Sequence, residues 1–149
     1  MELSDRVPHL IELPKIEDPR GNLTFVQDCD QIPFDIKRVY WTYDVPAGVV
    51  RGSHSHRETQ MLIVAAAGSF DMQLFDGHST HTFHLNRPFV GLYIPPGYWH
   101  TLDNFSSGSV CLVMTSTPYD ETDYIRDFEQ YMAYVRETGG PAHHAIPVP

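Results

Sequence analysis

Cationic side chains are scarce in this 149-residue chain: 10 Lys and Arg stand against 19 Asp and Glu, a formal net charge of −9 at pH 7. No run of Lys and Arg offsets that balance locally. An acidic surface repels phosphodiester backbones and anionic lipid headgroups, so nucleic acid and membrane are not expected as partners. An anionic substrate has to be met by a few arginines placed inside a pocket. Cysteine is almost absent. Cys29 and Cys111 lack Cys-x-x-Cys spacing and read as two reduced thiols, Cys111 in a core strand, rather than as a disulfide or a metal site. Long apolar runs are missing too: the longest, Met61–Ala67, is far too short to span a bilayer. The start, Met-Glu-Leu-Ser-Asp-Arg, has neither the basic opening nor the apolar stretch of a secretory signal, which gives the expectation of a cytoplasmic protein. There is no Gly-x-Gly-x-x-Gly, no Walker loop and no Gly-x-Ser-x-Gly, so the sequence offers no dinucleotide site, P-loop or serine nucleophile.

What is present is core-forming material, with 42% hydrophobic and 12% aromatic residues. A chain of this length closes one core, and a single domain over residues 1–137 is expected, followed by a flexible tail over 138–149. The dominant period is two. Phe70, Met72 and Leu74 alternate with Asp71 and Gln73, and β-rich runs recur at Asn22–Gln27, Arg38–Tyr43, Gln60–Ala66, His81–Leu85, Val90–Ile94 and Ser109–Thr115. Turn signals separate them at Pro46-Ala47-Gly48, Asp76-Gly77, Pro95-Pro96-Gly97 and Ser106-Ser107-Gly108. That spacing predicts an all-β sandwich or barrel. The period changes once, near Tyr119. Ile125, Phe128, Met132 and Val135 share one helical face, with Asp120 as the expected N-cap and Gly139-Gly140-Pro141 as the stop.

Of the nine histidines, His54 and His56 flank a single residue at the start of an expected strand. Alternation then puts both imidazoles on one face. Taken alone, the pair fits surface histidines beside a loop, two ligands to one metal, or a base and its positioning partner. Their frame narrows this. Gly48, five intervening residues and His54-Ser55-His56 resemble the first cupin motif, and Pro95-Pro96-Gly97-Tyr98-Trp99-His100 followed by Asn104 resembles the second. The resemblance implies a cupin jelly-roll β-barrel, here with one C-terminal α-helix. One departure is chemical: Gln60 stands where a metal-binding cupin carries Glu. A neutral amide cannot supply the carboxylate charge, which leaves His54, His56 and His100 as a three-histidine set.

A closer resemblance accounts for that loss. Arg51-Gly52-Ser53-His54-Ser55-His56-Arg57 with Gln60, Asp18-Pro19-Arg20-Gly21-Asn22-Leu23, Phe34-Asp35-Ile36-Lys37-Arg38-Val39-Tyr40 and Ser116-Thr117-Pro118-Tyr119-Asp120-Glu121-Thr122-Asp123-Tyr124-Ile125-Arg126 are similar to the sugar 3,4-ketoisomerases (WxcM-like) that act on dTDP-4-keto-6-deoxyglucose. The similarity runs from about Ile11 to Tyr134. It implies a metal-independent isomerase without cofactor, working as a homodimer with exchanged N-terminal strands. The isolated apolar stretch Leu10-Ile11-Glu12-Leu13 suits an exchanged edge strand.

The implied reaction moves a ketone from C4 to C3 through an enediol, and a neutral imidazole suits both proton transfers. His54 and His56 are the expected bases, His56 leading by family analogy, with Tyr40 as donor or relay. Arg51, backed by Arg20 and Arg38, is expected on the diphosphate, with Gln60, Trp99, His100 and Asn104 also expected to bind substrate. Trp41, Tyr43, Tyr93, Tyr98 and Trp99 are candidates to stack on thymine, although an aromatic in a β-barrel is more often a core residue. Arg20 with His100 resembles members that make the galacto-configured product. Two other functions fit the same residues: a metal-dependent cupin oxygenase or isomerase, and a cupin that binds a sugar nucleotide without turnover.

Overall fold

The computed structural model describes residues 3–141. Period-two alternation folds into short antiparallel strands, arranged in two five-stranded sheets. The first contains β1 (His9–Glu12), β4 (Arg38–Tyr43), β6 (Met61–Ala67), β9 (Val90–Ile94) and β11 (Val110–Thr115), in the order β1-β9-β6-β11-β4. The second contains β5 (Arg51–His56), β7 (Phe70–Phe75), β8 (Thr80–Leu85), β10 (Trp99–Asp103) and β12 (Tyr124–Ile125), in the order β12-β5-β10-β7-β8. Strands β2 (Lys15–Ile16) and β3 (Leu23–Thr24) form a separate ribbon. The expected jelly-roll sandwich is therefore present. The strand expected over Asn22–Gln27 shortens to two residues, because only Leu23 and Thr24 find ladder partners, in Ile16 and Lys15.

The main core lies between the sheets. Met61, Ile63 and Ala65 of β6 meet Phe70, Met72 and Leu74 of β7. The other face of β6 is covered as well: Leu62 and Val64 pack with Leu13, Ile32 and Phe34 of the N-terminal segment. Burial on both faces explains why β6 is a continuous apolar run rather than an alternating one.

Helix α1 (Phe128–Thr138) lies against the second sheet. Its N-cap is Asp127, whose side chain accepts from the Gln130 N–H, and it ends at Gly139 in the left-handed conformation. The expected start at Asp120 is corrected. Asp120 caps a 3-10 turn over Glu121–Asp123, and Tyr124–Ile125 then pairs with Ser55 and His56 of β5. Tertiary strand pairing overrides the helical period there. The buried helical face is Tyr131 and Val135, while Phe128 is exposed. Packing continues past the helix, since Gly140 and Pro141 are buried, so the folded part extends beyond residue 137. The rest of the expected tail, residues 142–149, lies outside the described residues. No helix among the described residues is long and apolar enough to cross a membrane.

One irregularity positions the site. His100 pairs opposite His54, but the next residue, Thr101, pairs with Gly52, so Ser53 is skipped. Gly52 has φ +87° and Ser53 φ 54°. A Cβ on Gly52 would stand 3.1 Å from the His100 carbonyl oxygen, which is why glycine occupies this β-bulge.

Candidate active site

The alternation of β5 carries His54 and His56 to one face, and β10 brings His100 alongside. Ring centroids are 4.3 Å apart for His54 and His100, 5.1 Å for His54 and His56, and 5.8 Å for His56 and His100. One ring nitrogen from each lies within 4.8 Å of the others. Nε2 of His54, Nε2 of His56 and Nδ1 of His100 are buried and have no hydrogen-bond partner among the described residues. In a folded protein such orphaned polar atoms mark a place where something else binds or reacts.

The opposite edge of the first two rings is fixed. His54 Nδ1 is 3.0 Å from the Gly52 carbonyl, and His56 Nδ1 is 3.0 Å from Asp123 Oδ2. Both acceptors take a proton and have none to give, so both rings carry their hydrogen on Nδ1 and present a lone pair at Nε2. Burial lowers all three imidazoles. His54 is brought down to about 4, the Gly52 bond offsetting part of the effect. His56 is lowered by burial against the opposing pull of Asp123, and His100 is lowered by complete burial and by its two neighbours. The cluster is neutral at pH 7.

A cavity of about 80 Å³ opens beside it, lined by His54, His100, Tyr40, Arg51 and Gly52 together with apolar core residues. Burial raises the Tyr40 phenol, which therefore stays protonated and can donate. Cys111 also faces the cavity, its thiol pushed up to about 12 by burial, and Cys29 is an exposed free thiol. Arg38 stands next to the site, its guanidinium 4.5 Å from the Tyr40 ring centroid and 3.3 Å from the Tyr124 hydroxyl.

His54, His56, His100, Tyr40, Arg51 and Arg38 are thus brought together. Four other expected binding residues are not. Gln60 directs its amide oxygen to the Tyr93 hydroxyl, 2.7 Å away. Trp99 packs on Phe128 and Tyr131 under the helix. Asn104 is exposed and donates to Asp71. Arg20, its side chain 90% exposed, is paired with Asp18 on the β2–β3 connection and does not border the cavity within one chain. The aromatic candidates also lie elsewhere: Trp41 and Tyr43 project outward, and Tyr93 and Tyr98 are core residues.

Asp123 was not foreseen, nor was Tyr124, whose ring lies 5.0 Å from that of His54 and 4.4 Å from that of His56. Both belong to the Ser116–Arg126 stretch that carries the family resemblance, and that stretch was the signal for them. Burial would raise Asp123, but bonds from the Thr59 hydroxyl, the Glu58 N–H and His56 outweigh it and keep the carboxylate ionised.

Three imidazoles form a donor set for a divalent metal such as zinc, but among the described residues no carboxylate completes it. Glu58 is exposed, Gln60 is engaged by Tyr93, and Asp123 binds the far edge of His56.

A jelly roll that brings neutral imidazoles, a protonated phenol and arginines together at one place is a cupin-type barrel. The chain belongs to the sugar 3,4-ketoisomerases: the family described as "FdtA: WxcM-like, C-terminal" matches residues 6–136. It is 40% identical over 126 residues to a TDP-4-oxo-6-deoxy-alpha-D-glucose-3,4-oxoisomerase of Aneurinibacillus thermoaerophilus, covering 85% of this chain and 91% of that one. Among solved structures it is similar to the 3,4-ketoisomerase QdtA of Thermoanaerobacterium thermosaccharolyticum. That structure is an asparagine-for-histidine mutant in complex with TDP-4-keto-6-deoxyglucose, with TM-score 0.86, 37% identity and coverage of 88% and 95%. A 3,4-ketoisomerase of Helicobacter canadensis is similar at TM-score 0.84 and 35% identity, with coverage of 87% and 97%.

Proposed function

We propose that this chain converts dTDP-4-keto-6-deoxy-D-glucose to a dTDP-3-keto-6-deoxyhexose by histidine-mediated proton transfer. The observation that carries the reading is the convergence of three neutral imidazoles, each with a ring nitrogen that has no partner among the described residues, beside a cavity that His54 and His100 line together with the Tyr40 phenol. The proton on C3 is acidified by the adjacent carbonyl, and an imidazole lone pair removes it. The C–H electrons form the C3=C4 bond of the enediol while O4 gains a proton, for which Tyr40 is the donor. Return to the product gives C4 a proton and takes one from O3, leaving the ketone at C3. His56, backed by a carboxylate, is the better base of the strand pair, and His54 assists. Arg51 and Arg38 meet the diphosphate. The similar QdtA structure, with asparagine in place of a histidine and the keto sugar bound, supports a mechanism that depends on histidine.

His100 supports a galacto-configured product: it lines the cavity with a ring nitrogen that has no partner among the described residues, placed to supply the C4 proton from its own side. Arg20 joins it only across a homodimer with exchanged N-terminal strands. A dimer also suits the exposed Val39, Trp41 and Tyr43 of edge strand β4. A 3-keto sugar nucleotide is the form that amination at C3 requires, which fits supply of a deoxy-amino sugar, and we place the enzyme in the cytoplasm.

Incubation with dTDP-4-keto-6-deoxyglucose and NMR of the product tests the reaction. Chemical reduction of the fresh product and the H3–H4 coupling test the configuration: a small coupling fits galacto, and a large diaxial one overturns it. The same three nitrogens favour one second reading, a metal-dependent cupin. Full turnover at metal contents far below stoichiometric supports proton transfer, whereas loss on chelation that a divalent metal restores supports the alternative.

A further inference from the structure

The strap from Asp120 to Ile125 does more than extend the second sheet. Its Asp123 carboxylate is held at both oxygens. Oδ1 accepts the Glu58 N–H at 2.7 Å, and Oδ2 accepts both the Thr59 hydroxyl and His56 Nδ1. The Thr59 oxygen is itself 2.7 Å from the Thr117 hydroxyl. A carboxylate fixed in this way has no freedom to leave the ring it faces. His54 has no such partner, since its Nδ1 meets only the neutral carbonyl of Gly52. The two histidines therefore differ: each has its tautomer set, but only His56 has an anion behind it to balance a positive charge.

We propose that Asp123 is a positioning residue of the isomerisation: it holds His56 in the Nδ1–H tautomer, leaves the Nε2 lone pair beside His54 and His100, and balances the imidazolium formed when His56 takes up a proton. The proposal rests on the ketoisomerase reading for its catalytic consequence and on the geometry alone for the tautomer. Asp123→Asn tests it sharply. The Asn oxygen keeps the Glu58 N–H, which turns the amide NH2 toward Thr59 and Nδ1 of His56. That ring nitrogen then becomes an acceptor, and the hydrogen moves to Nε2, where a lone pair is needed.

The experiment is a long-range proton–nitrogen spectrum of protein labelled with ¹⁵N-histidine, for the wild type and Asp123→Asn, beside steady-state kinetics on dTDP-4-keto-6-deoxyglucose. The expected spectra place the hydrogen on Nδ1 of His56 in the wild type and on Nε2 in the variant. The expected kinetics lower kcat by about 10²–10⁴-fold, the range of a lost general base, with KM held within about threefold. A wild-type His56 protonated at Nε2 overturns the proposal, as does a variant with unchanged tautomer or with kcat within threefold of wild type. If the variant fails to fold, the wild-type spectrum decides alone. A wild type without turnover would instead remove the ketoisomerase reading, and the tautomer result would still judge the lock.

Discussion

In the proposed mechanism His54 and His56 act through one property, a lone pair at Nε2 that is available at neutral pH. Asparagine keeps the size and the polar edge of the ring but cannot take a proton, so His54→Asn and His56→Asn should each lower turnover by about 10²–10⁴-fold with folding intact. Kinetics beside a thermal melt check this, and near-normal rates in both would remove the assignment. The pH dependence follows from burial. A base whose value is lowered stays unprotonated further into acid, and His54 is brought to about 4 while His56 is also below its ordinary 6.5. The kcat/KM profile should therefore be flat at neutrality, with its acid limb below pH 6.5. The same sign governs stability: an unfolded chain binds protons that the folded imidazoles refuse, so stability falls as pH drops below 6.5. Denaturant titrations at neutral and acid pH measure that loss. His54, His56, His100, Tyr40 and Arg51 were legible because their motifs are short and local. Asp123 was not, because it reaches His56 across 67 positions of sequence. Gln60 and Trp99 were misplaced because local spacing does not show which neighbour claims a side chain, and Tyr93 and the helix claimed these two.

Among the elements, β5 is the one on which the site turns. The bulge at Gly52 and Ser53 sets the rotation of the strand just before His54, and a side chain at Gly52 meets both a forbidding φ and the His100 carbonyl. Gly52→Ala should cost about 1–3 kcal/mol of stability and should lower turnover further, by re-aiming His54. Urea unfolding and kinetics on the folded fraction separate the two effects. The strands were readable from alternation and turn residues because those depend on neighbours in sequence. The sequence pattern places the strap in the first turn of a helix, since Ile125 falls in phase with Phe128, Met132 and Val135. Strand pairing with β5 settled the matter differently, and the information for it lies in the partner strand.

For the whole molecule, composition narrowed more than it revealed: charge argued against nucleic acid and membrane as partners and cysteine spacing against a disulfide or a cysteine metal site, while the sandwich came from periodicity and the isomerase from resemblance. Assembly is the open expectation at this scale. Trp41 and Tyr43 are 58% and 61% exposed on an edge strand, and Arg20 has no route to the cavity in a single chain. Light scattering at micromolar concentration should give twice the 17.0 kDa of the chain, and a monomer would count against the exchange. A final consequence comes from where the strap falls along the chain. Synthesis runs from the amino end, so β5 and β10, with all three histidines, leave the ribosome before Asp123 and Tyr124 do. The nascent protein thus gains its histidines early and the partner that orients His56 late. Truncated products ending ahead of the strap would carry the cluster yet lack the carboxylate, so on this reading competence is withheld until the strap itself has been made.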